Sequence, residues 1–432
     1  MIFRLRCAIF VLAGLTAFGR TAAAQTAAQP PADAQALRSA IDDLKKDFEA
    51  RLSALEMRLA AIEGQVPHVP PAVPDAAAAG VEAPTASAAS TAAAGSSKVF
   101  NPDMAVIGDF LGAAGRTNID PANHVAPQPA LAMHESEASF QAVVDPYARA
   151  DFFVSFGESG VELEEGFITF TSLPGGLLTK VGKMRAAFGK VNSLHNHVLP
   201  WTDRPLVINN LVGGEDGIDD AGISVARLIP NPWFFLEATG QVFRGDAGSE
   251  EHPLYQTSRR GQLSYVGHLR GYHDLSESTN IDLGFSASRG YNASGLPQDI
   301  DDLTTRLLGI DATIRWKPLR RSIYNSFVGR SEVIWSRRED PIGVQSGMGY
   351  YVSADYQFAR RWFAGVRFDG SDRSYDATLH DTGGSALITY WPSEFSQVRG
   401  QYRRTAYAIG PAANEFLFQF QFSIGAHGAH PF

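Results

Sequence analysis

The last stretch of the chain constrains its fold more than any other part. Phe416, Phe418, Phe420, Phe422, Ile424 and Ala426 fall on one parity, and Leu417, Gln419, Gln421, Ser423 and Gly425 on the other. The terminal Phe432 keeps the parity of the phenylalanines. A period of two marks a β-strand with one apolar and one mostly polar face. Four phenylalanines in succession need a broad apolar surface to lie against. A protein core or lipid can supply it, and the rest of the chain decides between them.

The same alternation recurs from Phe100 onward. It is read near 104–111, 134–144, 147–156, 161–172, 176–187, 219–228, 232–243, 261–273, 278–289, 304–316, 321–336, 346–358, 361–370, 380–391, 395–405 and 414–426. Lengths of about ten residues suit a tilted membrane strand. The connections alternate too. Tight ones carry turn residues, such as Asp145-Pro146, Leu173-Pro174-Gly175, Ile229-Pro230-Asn231, Lys317-Pro318-Leu319 and Pro392-Ser393-Glu394. The intervening ones are long: 112–133, 188–218, 244–260, 290–303, 337–345, 371–379 and 406–413. Only 157–160 breaks the rule. Short turns on one side and long loops on the other predict an all-β fold, a transmembrane antiparallel barrel of about sixteen strands over 100–432. A soluble sandwich has no reason for that asymmetry.

The N-terminal quarter reads differently. Arg4 and Arg6, the apolar run Cys7 to Phe18 and the small residues Ala22-Ala23-Ala24 form a secretory signal peptide over 1–24. The only cysteine, Cys7, lies inside it, so a processed chain would hold no disulfide and no thiolate metal site. Within 25–63, Leu37, Ile41, Leu44, Phe48, Leu52, Leu55, Leu59 and Ile62 recur at spacings of three and four, the stripe of a coiled coil. Residues 64–99 are mostly Ala, Pro, Ser, Thr and Gly, which cannot build a core. They read as a disordered periplasmic tether. With 37 basic and 46 acidic residues the net charge is −9, and nothing points to nucleic acid.

The longest connection, Phe188 to Ile218, is too polar and too long for a plain connector. It carries Lys190, His195, His197, Trp201, Asp203, Arg204, Glu215 and Asp216. It is the candidate constriction, with a rim loop as the alternative. Strand parity directs Arg149 and Asp151, Lys183 and Arg185, Glu237 and Gln241, His268 and Arg270, Asp311 and Arg315, Arg330 and Glu332, Asp355, Arg367 and Asp369, and Gln397, Arg399 and Arg403 inward. Polar inward residues are expected of any wet barrel. As a set the cations outnumber the carboxylates, and rows of Arg and Lys favour anions.

His195-Asn196-His197 could chelate a metal if extended, since i and i+2 share a face of a strand, and His427 and His430 also offer two imidazoles, but neither pair has a third ligand at fixed spacing. No metal or cofactor is assigned. There is no GxSxG between a strand and a helix and no HExxH, so no enzyme is expected.

The order of signal peptide, coiled coil, Ala/Pro linker and barrel resembles two porin families. One is the trimeric dicarboxylate-selective porins with an N-terminal periplasmic coiled coil, and the other is the phosphate-selective porins O and P. The resemblance implies a homotrimer in outer-membrane lipid that passes small hydrophilic, anionic solutes by diffusion, with its N-terminal region in the periplasm. The segment His195 to Trp201 with Asp203-Arg204-Pro205 also looks like outer-membrane proteins labelled TonB-dependent receptors. Those have about 22 strands and a plugged lumen, more than this length allows. A receptor, or an anchor to the cell wall through the coiled coil, remains the alternative reading.

Overall fold

The computed structural model describes residues 102–116, 130–157, 160–248, 253–292 and 302–425. The signal peptide, coiled coil and linker read from the sequence lie outside the described residues, as do His427, His430 and Phe432.

The barrel strands are β1 (Asp103–Arg116), β2 (Leu131–Asp145), β3 (Ala148–Gly157), β4 (Gly160–Leu173), β5 (Leu177–Arg185), β6 (Asp219–Leu228) and β7 (Phe235–Phe243). A two-stranded sheet follows, β8 (Ala247–Gly248) with β9 (Pro253–Tyr255). The barrel resumes with β10 (Ser264–Ser276), β11 (Thr279–Tyr291), β12 (Thr304–Trp316), β13 (Ser326–Asp340), β14 (Gly343–Ala359), β15 (Trp362–Asp372), β16 (His380–Ser393), β17 (Ser396–Ala406) and β18 (Ala413–Gly425). Every neighbour pairs antiparallel, and β1 pairs with β18 to close a barrel of sixteen strands. Closure leaves no unpaired sheet edge, which is what lets a sheet sit in hydrocarbon.

Alternation sets the two faces. On β18, Phe416, Phe418 and Phe420 are 64%, 51% and 38% exposed, while Glu415 and Gln419 are each 2%. The exposed face carries the apolar side chains, the arrangement of a barrel whose outer surface suits hydrocarbon. Tyr147, Trp233, Tyr324, Trp362 and Phe395 stand exposed at or beside the tight turns. Their position matches an interfacial aromatic girdle.

Two strands depart from simple alternation where they face the longest connection. Along β1, Asp109 pairs with Glu135 and Phe110 with Met133, so His134 is an extra residue on β2. Along β3, Phe153 pairs with Glu165 and Val154 with Leu163, so Glu164 is an extra residue on β4. Each is a β-bulge, which re-aims a side chain that the pleat would send the other way.

Candidate functional site

The connection from β5 to β6 folds into the barrel rather than resting on its rim. Its apolar residues explain why. Phe188, Val191, Leu199, Trp201, Val207, Ile208, Leu211, Val212 and Ile218 are buried, in one cluster with Phe243, Leu307, Ile334, Tyr351 and Leu387 of the wall. Those wall residues are apolar at positions that are elsewhere polar. A short helix, α1 (Leu206–Leu211), packs on β14 and β15. The wall is small where it comes closest: a Cβ added to Gly349 would stand 2.7 Å from Val207 Cγ2. Gly189 has φ +60°, and a Cβ there would run into the Glu332 carboxylate.

Hydrogen bonds attach the segment around the wall. Ala187 N–H donates to Gln241 of β7 (2.7 Å) and Gly189 N–H to Ser286 of β11 (2.8 Å). Lys190 pairs with Asp282 at 3.2 Å. Thr202 N–H donates to Gln401 of β17 (3.0 Å), and the Asn210 amide to Asp381 of β16 (2.9 Å). The Gln421 amide of β18 donates to the His197 carbonyl at 3.2 Å. A narrow cleft between the segment and the β1–β2 wall is lined by Asp109, His134, Asn196, Thr202, Asp203, Arg204 and Glu215, among others.

Asp203 is the main anchor. Its carboxylate accepts from Arg367 (2.7 Å), Arg403 (3.0 Å) and Gln401 (2.5 Å). Arg367 also bonds Asp369 at 2.9 Å and lies 4.9 Å from the Trp201 ring centroid. Arg403 also donates to Glu415. Burial alone would raise the Asp203 carboxyl, but Arg367 and Arg403 overcome it and hold it down at about 2.

Arg204 and Arg185 hold the segment's own shape. Arg204 donates to Asn196 Oδ1 and to the Val191 and Leu194 carbonyls, and burial lowers it to about 10. Arg185 donates to the Glu215 and Asp216 carbonyls. Lys183 is paired at the segment's base with Asp219 at 3.1 Å. Arg399 donates to Thr389, Gln419 and Gln397 inside the wall.

His195 caps a 3-10 turn (Asn196–Val198) that contains His197, so the pair is not on an extended strand, yet their rings meet edge to face at 5.7 Å. His195 Nδ1 lies 2.5 Å from Glu137 Oε2 and Nε2 lies 2.7 Å from Glu165 Oε2. Burial would lower the imidazole, but these two carboxylates raise it to about 10. Sequence reasoning missed Glu135, Glu137, Glu164 and Glu165. The two on β2 share parity and point inward, which was legible. Parity sends Glu164 outward, and only the bulge reverses it.

The remaining predicted cations occupy the short-turn half. Arg149 (40% exposed), Arg315 (39%), Arg270 and Arg330 (23% each) face inward beyond the segment. Asp151, Asp282 and Asp355 pair with three of them at 2.7, 2.8 and 2.5 Å.

No family model matches the chain. A protein of Aquifex aeolicus (strain VF5), titled only as uncharacterized, is 29% identical over 391 residues, spanning 78% of this chain and 81% of that one. Three solved outer-membrane proteins share the architecture. OprB of Pseudomonas putida superposes with a TM-score of 0.51 at 9% identity, covering 75% of this chain and 94% of that one. The anion-selective porin of Comamonas acidovorans gives 0.50 at 12%, covering 74% and 98%. The channel DcaP of Acinetobacter baumannii gives 0.50 at 11%, covering 75% and 96%. The barrel is porin-like. At such identities the likeness carries the fold alone.

Proposed function

We propose that the protein is an outer-membrane channel for small hydrophilic solutes, with a preference for anions, and that the segment 186–218 is its gate. The observation carrying this reading is the ring of bonds from that segment to β7, β11, β15, β16, β17 and β18. A segment so attached narrows the lumen, and we read the path as closed until it is displaced. The anion preference rests on the short-turn half, where Asp151, Asp282 and Asp355 pair Arg149, Arg270 and Arg330 but Arg315 stands 4.0 Å from Asp282, an excess of one cation among these four whose field a confined pore screens weakly. The likeness in fold to a protein titled an anion-selective porin agrees with it. We read 25–63 as a coiled coil joining three subunits on the periplasmic side; deleting 25–98 should weaken the oligomer on native gels without unfolding the barrel.

Replacing 190–214 with a short Gly-Ser linker tests the gate. Barrel hydrogen bonds close among the strands, so the deletion should still insert. Single-channel conductance in planar bilayers should rise several-fold, with a wild type that is mostly closed. Equal conductance in the two proteins would overturn the gate. No conductance in either would overturn the channel and favour the second reading, a structural anchor of the outer membrane.

A further inference from the structure

We propose that Glu137, His195 and His197 form a site for a divalent transition-metal ion of the zinc class, which pins the inserted segment to the wall and draws in Glu164 as its fourth ligand. The two imidazoles come from the segment, and the two carboxylates come from β2 and β4.

Geometry carries the assignment. One ligand atom each from Glu137, His195 and His197 lies within 4.8 Å of the others, and all three residues are buried. A tetrahedral zinc site with bonds of about 2.1 Å has donor-to-donor edges of about 3.4 Å. His195 Nδ1 to Glu164 Oε2 is 3.3 Å, and His197 Nδ1 to Glu137 Oε2 is 3.5 Å. Both are long for charge-assisted hydrogen bonds, which run at about 2.7–2.9 Å. The third edge, His195 Nδ1 to Glu137 Oε2, is 2.5 Å and would lengthen as the ion displaces the proton between them. Glu165 sits 2.7 Å from His195 Nε2. That is the place of the outer carboxylate which fixes the tautomer of a metal-bound histidine.

Two further observations fit a cation at this place. Glu164 Oε2 is buried with no donor closer than His195 Nδ1 at 3.3 Å, in a residue that is 9% exposed. The β4 bulge turns this side chain into the cluster. Carboxylate oxygens of Glu135, Glu137 and Glu164 also lie within 4.8 Å of one another. Like charges so close in a buried place require a compensating cation or proton. An N2O2 donor set of imidazole and carboxylate suits zinc among the first-row ions.

The test uses the full chain refolded in detergent and dialysed against micromolar Zn2+ or Co2+. One ion per barrel should be retained, and Co2+ should show the visible absorption of tetrahedral N/O ligation. The double variant His195→Gln with His197→Gln should lose at least nine-tenths of the ion. Because that variant also loses the ion pairs of His195, the isosteric Glu164→Gln is measured beside it and should bind at least tenfold more weakly. A His427→Gln, His430→Gln control should bind as the wild type does. No retained ion in the wild type would overturn the site, with a proton then compensating Glu164. Wild-type affinity in Glu164→Gln, or loss only in the His427/His430 control, would overturn it equally.

Discussion

Arg367 and Arg315 occupy inward positions three strands apart on the same wall, yet end in opposite environments. The Arg367 side chain is 1% exposed and locked between Asp203 and Asp369. The Arg315 side chain is 39% exposed, with its nearest carboxylate, Asp282, 4.0 Å away. The difference is the inserted segment, which covers the level of Arg367 and leaves that of Arg315 open. An inward arginine is therefore not by itself part of a selectivity ring. Where the segment arrives it becomes a fastener, its charge cancelled and its water removed. Where the segment is absent and no carboxylate is close, as at Arg315, its field stays available to a solute.

The largest effect that could break this contrast is removal of the anchor. Asp203→Ala leaves Arg367 with Asp369 and Arg403 with Glu415, and removes the carboxylate that the two arginines share in a buried place. Breaking a buried pair by removing one partner costs about 3–5 kcal/mol. Limited proteolysis within 190–215 should then cut a segment that is protected in the wild type, and open-channel events should multiply. A variant as resistant and as closed as the wild type would mean that Asp203 does not hold the segment.

Acid should act on the same anchor. The Asp203 carboxyl is held at about 2, below its ordinary value of about 3.9. A depressed carboxyl stabilises the docked segment fully above the unfolded value, and that stability fades as pH falls through the folded one. Opening should therefore appear between about pH 4 and pH 2. Conductance recorded at pH 7, 4 and 2.5 checks this, and Asp203→Asn should remove the pH step. An identical step in Asp203→Asn would assign it to another group.

A smaller effect is expected from packing. Gly349→Val forces a side chain toward Val207, where a Cβ would already stand 2.7 Å away. Overpacking of this kind costs about 1–3 kcal/mol. It should loosen the segment measurably less than Asp203→Ala, read by the same proteolysis, with the barrel's heat-modifiability unchanged. A Gly349→Val protein more protease-sensitive than Asp203→Ala would put the main hold at α1 instead of at the ion network.

The two regions also differ in how much of them the sequence discloses. Strand parity is local, so it assigns Arg149, Arg315 and Arg367 inward alike, and the tight turns fix where strands end. Which arginine becomes buried depends on where residues 186–218 lie, a contact across as many as 200 positions in the case of Arg403 with Asp203. Periodicity has no access to that separation. The apolar residues Leu307, Ile334, Tyr351 and Leu387 on the inward parity were the available sign that something apolar packs inside. Glu164 was hidden for a different reason, since a one-residue bulge reverses the face that alternation assigns.

The smallest expected effect sharpens the comparison from the open side. Arg315→Gln and Arg149→Gln remove charges that are 39% and 40% exposed. Substitutions at such positions usually change stability by no more than about 0.5 kcal/mol, so the segment should stay docked and protected. Selectivity should nevertheless move, because a charge beside a narrow path acts on each ion that passes. In the deletion that opens the lumen, the double substitution should shift the reversal potential in a salt gradient toward cations by a few millivolts. The shift should shrink as salt rises from about 0.1 M to 1 M, where the screening length falls from about 10 Å to about 3 Å. Arg367→Gln in the same background meets a wall whose Asp203 has been deleted, so Arg367 there is newly exposed and should matter as much as Arg315. A shift from Arg367→Gln with none from the Arg315 pair would place the ion path along the β15–β17 wall and away from the short-turn arginines.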